Sequence, residues 1–161
     1  MPNETELGHL RRCVALAAEA LDAGDQPFGS VLVAADGTVL AEARNRVASG
    51  DPTRHPEFDL ARWAAEHMAP ADRAVATVFT SGEHCPMCSA AHGWAGLGRI
   101  VYVAATAQFA AWRAELGVAP SPVRPLAIRE VVPGLLVEGP VDDLVEQVRD
   151  LYRRFHGASP A

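Results

Sequence analysis

The sequence predicts a three-layer α/β/α sandwich built around one mixed, five-stranded sheet. Short apolar runs alternate with stretches of helical periodicity along the 161-residue chain, the pattern of helices packed over both faces of a sheet. Asp36-Gly37 between the first two apolar runs marks a tight hairpin, so part of the sheet is antiparallel. Proline and glycine punctuate most of the remaining boundaries.

Leu7, Leu10, Val14, Ala17 and Leu21 recur at helical spacing and define a first helix that stops near Gly24. Asn3 with Glu6 three residues on makes a capping box at its start. Phe28 to Ala35 reads as a buried strand and Thr38 to Ala43 as its hairpin partner, followed by a polar loop from about Arg44 to Arg54. Pro56 to Met68 reads as a helix with proline in its first turn and Pro70 as its stop. Val75 to Thr80 is a strand, Pro86 to Leu97 a helix ending at Gly98, and Ile100 to Ala104 a further strand. Beyond this the pattern weakens. Ala107 to Leu116 reads as a helix, the Pro120-Pro122-Pro125 stretch as a loop, and Ile128 to Val132 as the last strand. Pro140 to Phe155 closes the order as a helix with Val141, Leu144, Val148, Leu151 and Phe155 on one face, leaving Gly157 to Ala161 as a frayed tail. With no repeat, low-complexity segment or linker, the expectation is one domain over residues 1–161.

Composition narrows the function classes. A hydrophobic content of 49% with 21% charge is that of a globular chain. The formal net charge is −6, and all 14 basic residues are scattered arginines, which disfavours a nucleic-acid partner because phosphates are met by basic patches. No uninterrupted apolar stretch is long enough to span a bilayer, and acids at Met1 to Leu10 do not fit a signal peptide. A cytoplasmic protein without membrane partners is expected. Three cysteines there do not form a disulfide framework, so Cys85 and Cys88 need another role, as metal ligands or redox thiols.

Two segments occupy equivalent places. His55-Pro56-Glu57 opens one predicted helix and Cys85-Pro86-Met87-Cys88 the next. Helix N-termini favour thiolate over thiol. If the helices lie side by side, His55, Cys85 and Cys88 converge on a three-ligand zinc site whose fourth position stays open for water, as in catalytic zinc centres. Glu57 would then sit beside the metal without ligating it, placed to move protons once zinc has acidified a water. Other readings stand beside this one. Cys-Pro-Met-Cys alone also fits a redox dithiol, which leaves His55 and Glu57 without a role. A structural zinc would need a fourth ligand, for which His84 and His92 are the candidates. Asn45 by itself reads as a turn cap, Phe28 as strand core, Trp94, Trp112 and Phe155 as core or dimer interface, Glu83 as structural, and Cys13 as inert core.

His-x-Glu followed by Cys-x-x-Cys resembles the signature of zinc nucleobase deaminases. Pro27 to Val33, Asp36-Gly37, Asn45, Asp51-Pro52-Thr53 and Thr80 to Glu83 extend the resemblance to the cytidine-deaminase-like superfamily, in particular its bacterial guanine deaminase branch, from about Ala15 to Val103. The resemblance implies His55, Cys85 and Cys88 as Zn2+ ligands and Glu57 as the proton shuttle. It implies Asn45 as a hydrogen-bonding partner of the substrate ring, Phe28 as pocket lining, and the Cys85 N–H as a holder of the zinc-bound water. It also implies a homodimer and deamination of a small free base, guanine or an analogue such as isoguanine, 5-azacytosine or an amino-s-triazine, with cytosine, cytidine or tRNA adenosine as alternative substrates. A non-catalytic zinc-binding module that keeps the fold is the rival of another class. The chain departs from the pattern at Pro56, Phe58 and His84, all beside the pocket.

Overall fold

The computed structural model describes residues 2–157. In chain order it contains α1 (Glu4–Asp22), β1 (Gly29–Val33), β2 (Val39–Arg44), a single 3-10 turn (Val47–Ser49), α2 (Pro56–His67), α3 (Pro70–Val75) and β3 (Thr77–Gly82). Then follow α4 (Pro86–Ala95), β4 (Arg99–Ala104), α5 (Thr106–Glu115), α6 (Ile128–Val131), β5 (Val137–Glu138) and α7 (Asp142–Gly157). The five strands form one sheet in the order β2-β1-β3-β4-β5. β1 runs antiparallel to both β2 and β3, while β3, β4 and β5 are parallel. The sheet is therefore mixed and five-stranded, as expected.

Alternation along the strands explains the layers. Val31, Val33, Phe79, Val101 and Val103 point to one face and pack with Leu10, Val14 and Ala17 of α1 and Val145, Val148 and Leu151 of α7. Leu32, Val78, Ile100 and Tyr102 point to the other, where Leu60, Ala61 and Ala64 of α2 meet them. Successive strand residues face opposite sides, so strands buried on both faces read as the unbroken apolar runs seen in the sequence. The Asn3 and Glu6 capping box closes the start of α1 with bonds of 3.0 and 2.9 Å. Among the described residues no helix is long and apolar enough to cross a membrane.

Among the differences from the sequence expectation, three have a clear physical reason. Ile128 to Val132 is not the last strand: it forms the short helix α6, in which Ile128 is fully buried, and the fifth strand is the two-residue β5. A β-branched run set the expectation, but here Ile128 enters the apolar cluster shared with α2 while Val132 lies against Gly93 of α4. Thr77–Gly82 replaces Val75 to Thr80, because Pro70 starts α3 before the strand begins. The last helix starts at Asp142, after a cis Gly139-Pro140 bond, and extends through Gly157, which the sequence left to the tail; residues 158–161 lie outside the described residues.

Close approach of α1 to β1 fixes one glycine. A Cβ on Gly29 would lie 2.4 Å from Leu16 Cβ, 2.6 Å from the Cys13 carbonyl oxygen and 2.8 Å from Ala17 N, and two of these are backbone atoms that cannot swing away. Gly29→Ala is expected to cost about 1–3 kcal/mol through overpacking, lowering Tm by roughly 2–12 °C at about 2–4 °C per kcal/mol. An unchanged melting curve would mean that α1 rides higher on the sheet than described.

Candidate functional site

His55 is the N-cap residue of α2 and Cys85 that of α4, each followed by a proline at the first helical position. The fixed φ of proline suits a helix start and sacrifices no bonded N–H, so both helices begin abruptly and side by side. His55 Nδ1 lies 3.6 Å from Cys85 Sγ and 3.6 Å from Cys88 Sγ, and the two sulfurs are 3.5 Å apart. The three residues form the metal-capable group found among the described residues. Zn–S bonds of about 2.3 Å and Zn–N bonds of about 2.0–2.1 Å place the donors of a tetrahedral centre about 3.6–3.8 Å apart. The observed triangle fits that spacing.

The electrostatics favour a cation. The Cys88 thiol and the His55 ring bring the Cys85 thiol down to about 4. The hydrogen bond to Cys85, with burial, pushes Cys88 up, and the same sulfur raises His55. Metal ligation takes the deprotonated form of each thiol.

Glu57, in the first turn of α2, is 6% exposed. Burial is the main cause raising its carboxyl above the usual range, opposed by the nearby His55. Ser30 Oγ and Thr80 Oγ1 stand 3.1 and 3.0 Å from its Oε1 and 2.9 Å from each other. Ser30 on β1 and Thr80 on β3 are cross-strand partners in the sheet register. They form a buried polar pair between the two strands; the sequence offered only a serine and a threonine within segments read as strands.

Asn45 is 1% exposed. Its N–H donates to the Phe28 carbonyl at 2.9 Å, and its Oδ1 accepts from Val47 N–H at 3.1 Å. The Nδ2 amide has no partner among the described residues. The loop is clipped in place by Arg44, whose guanidinium meets the buried Asp25 at 2.9 Å, while Asp25 also accepts from Ala48 N–H. Both residues are further positioning groups that the sequence reading missed. The Cys85 N–H finds no acceptor among the described residues.

His55, Glu57, Cys85, Asn45 and Phe28 all open onto one cavity of about 400 Å³. Its far wall comes from parts of the chain where the sequence offered little: Phe109 and Arg113 of α5, Arg124 of the loop after it, and Tyr152, Phe155 and His156 of α7. Phe28 and Phe109 rings lie 5.2 Å apart at the junction of the two walls. Phe155, expected in the core or an interface, is a wall residue, and His156 carried no sequence signal. Trp112 is core, whereas Trp94 is 91% exposed.

His84 and His92 stand apart from the donors. Their rings meet edge to face at 5.3 Å, and His92 Nε2 bonds the Gly98 carbonyl at 2.9 Å. Each is 1% exposed, and neither His84 nitrogen has a partner among the described residues. Burial lowers both below the ordinary histidine value, His84 strongly. The unfolded chain therefore binds protons that the folded one refuses. Stability from these rings is full above the ordinary histidine value and is lost as pH falls below it. His84→Leu should flatten that slope in denaturation curves between pH 8 and 5; an unchanged slope would assign the loss to other groups.

Residues 3–104 match the family described as the cytidine and deoxycytidylate deaminase zinc-binding region, which takes in all three donors and Glu57. The chain is a member of this deaminase family. Over 97 residues, 59% of the chain and 62% of the relative, it is 40% identical to guanine deaminase of Bacillus subtilis. Over 100 residues, 62% of the chain and 60% of the relative, it is 33% identical to a probable cytosine deaminase of Schizosaccharomyces pombe. The matched stretch thus spans about three fifths of each of these relatives. The solved B. subtilis guanine deaminase superposes with a TM-score of 0.57 at 31% identity, covering 83% of this chain and 91% of that one. Guanine deaminase from Nitrosomonas europaea shares the fold at a TM-score of 0.72 and 20% identity, covering 98% and 87%. The expected placement in the guanine deaminase branch of this family is borne out. A family built on a zinc-binding region accounts for His55 and Glu57, which a redox dithiol would leave without a role.

Proposed function

We propose that this deaminase-family chain is a zinc-dependent hydrolase that removes the amino group of a small free nucleobase or related heterocycle. Guanine is the first candidate, with isoguanine, 5-azacytosine and amino-s-triazines as analogues. The observation that carries the reading is the triangle of His55, Cys85 and Cys88 beside buried Glu57, open to a cavity large enough for a small ligand. The guanine and cytosine deaminase relatives support a base as substrate.

A zinc ion held by these three donors would supply the nucleophile, because zinc lowers the pKa of a bound water from about 15.7 toward about 7. Ser30 and Thr80 fix Glu57 Oε1, which leaves Oε2 to exchange protons. Glu57 would take one proton from the water and pass it to a ring nitrogen of the substrate, then take the second from the hydroxyl formed on the ring carbon and pass it to the departing amine. Water and the amino-bearing ring carbon thereby become a ring carbonyl and ammonia. The unpartnered Asn45 amide donates to the ring edge, Phe28 packs on its face, and the Cys85 N–H holds the attacking oxygen. Arg113, Arg124 and His156 offer donors to oxo and ring-nitrogen acceptors at the far wall. The reading includes a homodimer, supported by the exposed Trp94 on α4, a helix with no acidic or arginine side chain.

Ammonia release is the test: zinc-loaded protein against guanine, cytosine, their analogues and the matching nucleosides. Release from a free base supports the reading. Release from nucleosides alone moves the substrate class, and no release at one zinc per chain leaves the non-catalytic module.

A further inference from the structure

Glu83 stands between the end of β3 and Cys85, and both of its carboxylate oxygens are engaged. Oε2 accepts the Thr106 N–H at 2.8 Å and Oε1 accepts the Ile128 N–H at 2.9 Å. Thr106 is the first residue of α5 and Ile128 the first of α6. Everything between these two amides leaves the sheet and returns to it. That excursion supplies much of the cavity wall opposite the metal donors, including Phe109, Arg113, Val118, Arg124 and Pro125. Its base is thus pinned at both ends by one side chain, and that side chain belongs to the loop that carries the cysteines. The Glu83 N–H is itself fixed on the Ala104 carbonyl at 2.8 Å, so the carboxylate cannot drift along β4.

We infer that Glu83 is a positioning residue for substrate binding: a two-ended clasp that sets the Thr106–Ile128 wall in register with the donors of His55, Cys85 and Cys88. Glu83 borders the same cavity, but both its oxygens are engaged by these two amides and it is not one of the three metal donors. Its bonds are charge-assisted and join two helix N-termini, which favour a negative charge. Both have to form at once for the wall to stand at one distance from the donors. The inference rests on the deaminase reading above for its kinetic consequence, but not for its structural one.

Glu83→Gln separates the two. The amide oxygen can still accept one N–H, while the amide nitrogen faces the other with a donor, so one end of the excursion is released. Hydrogen exchange measured by mass spectrometry on zinc-loaded protein should show protection between Thr106 and Ile128 falling by roughly 10- to 100-fold, the loss of one charge-assisted bond. Exchange in α1 and β1, and zinc content, should stay as in the unsubstituted protein. Ammonia release from guanine, or from the base turned over best, should show KM rising by a similar factor with kcat changed far less. Exchange that is unaltered in the segment, or raised evenly throughout the molecule, overturns the clasp. So does a variant whose KM is unchanged while Tm falls. If the unsubstituted protein releases ammonia from nothing, the deaminase reading fails and the exchange result alone decides the clasp.

Discussion

Glu57→Gln is expected to lower kcat by about 10²–10⁴-fold, the span for losing a positioned acid–base group, while zinc content and fold are kept. The amide is nearly the same size as the carboxyl, and the Ser30 and Thr80 hydroxyls, 3.1 and 3.0 Å away, can bond its oxygen as they bond Oε1. What the amide cannot do is take a proton. A second effect points the other way. Burial raises the Glu57 carboxyl, so the folded state holds a proton on it over a pH window in which the unfolded chain has released it. Stability from this group is therefore greatest below the unfolded value and declines as pH rises through the window. The glutamine variant lacks that decline and should melt no lower than the unsubstituted protein near neutral pH. Loss of turnover with intact melting and intact zinc is the expected triad of results. Full turnover in the variant would remove Glu57 from the chemistry. Loss of zinc would instead place the carboxylate among the metal's supports.

Removing the metal, or one of its donors, should have the other large effect. Chelation is expected to abolish ammonia release, with zinc restoring it; Cys88→Ser should lose both metal and activity and not recover on adding zinc. A hydroxyl in place of the sulfur leaves a two-donor remnant of a site whose three atoms lie within 3.6 Å of one another. The protein should remain folded, because the apolar clusters on both faces of the sheet do not depend on the site. Its Tm should still fall. A metal at about 1,000 times its Kd contributes about 4 kcal/mol to the folded state, or roughly 8–16 °C for a chain of this size. Metal content by emission spectroscopy and a melting curve read both outcomes together. A Cys88→Ser protein that holds one zinc per chain would show that the ion is bound elsewhere.

Legibility along the chain followed the reach of the forces involved. α1, the β1–β2 hairpin, α2, α4 and β4 were readable because each carries its own pattern: a capping box, an Asp-Gly turn, a proline at the first helical position, an unbroken apolar run. The donors were readable because each cysteine and histidine abuts such a start. β5 was not, since two residues make no period, and its place at the sheet edge is fixed by pairing with Ile100 and Val101 rather than by its own sequence. The Ile128 segment was read as a strand from β-branched content that tertiary packing overrode. Asn45 and Phe28 were reached only through family resemblance, and the structure shows why: their positions depend on Arg44, Asp25 and Phe109, far apart in the chain. The wall from Val118 to Pro125 has no periodicity to read, and it takes its place from Glu83.

The division of the core between the two faces of the sheet has a consequence for the growing chain. All three donors precede Ser89, and the first four strands are complete at Ala104. The helix that covers Val31, Val101 and Val103 begins only at Asp142. At about 5–20 residues per second, some 3–10 s separate the exit of Ala104 from that of Gly157. Through that interval a nascent chain holds all three metal donors and Glu57 with one side of its sheet half bare, the kind of surface that draws chaperones or neighbouring chains. A message cut short before Asp142 would accordingly yield a protein with its reactive residues intact and no soluble form to use them in.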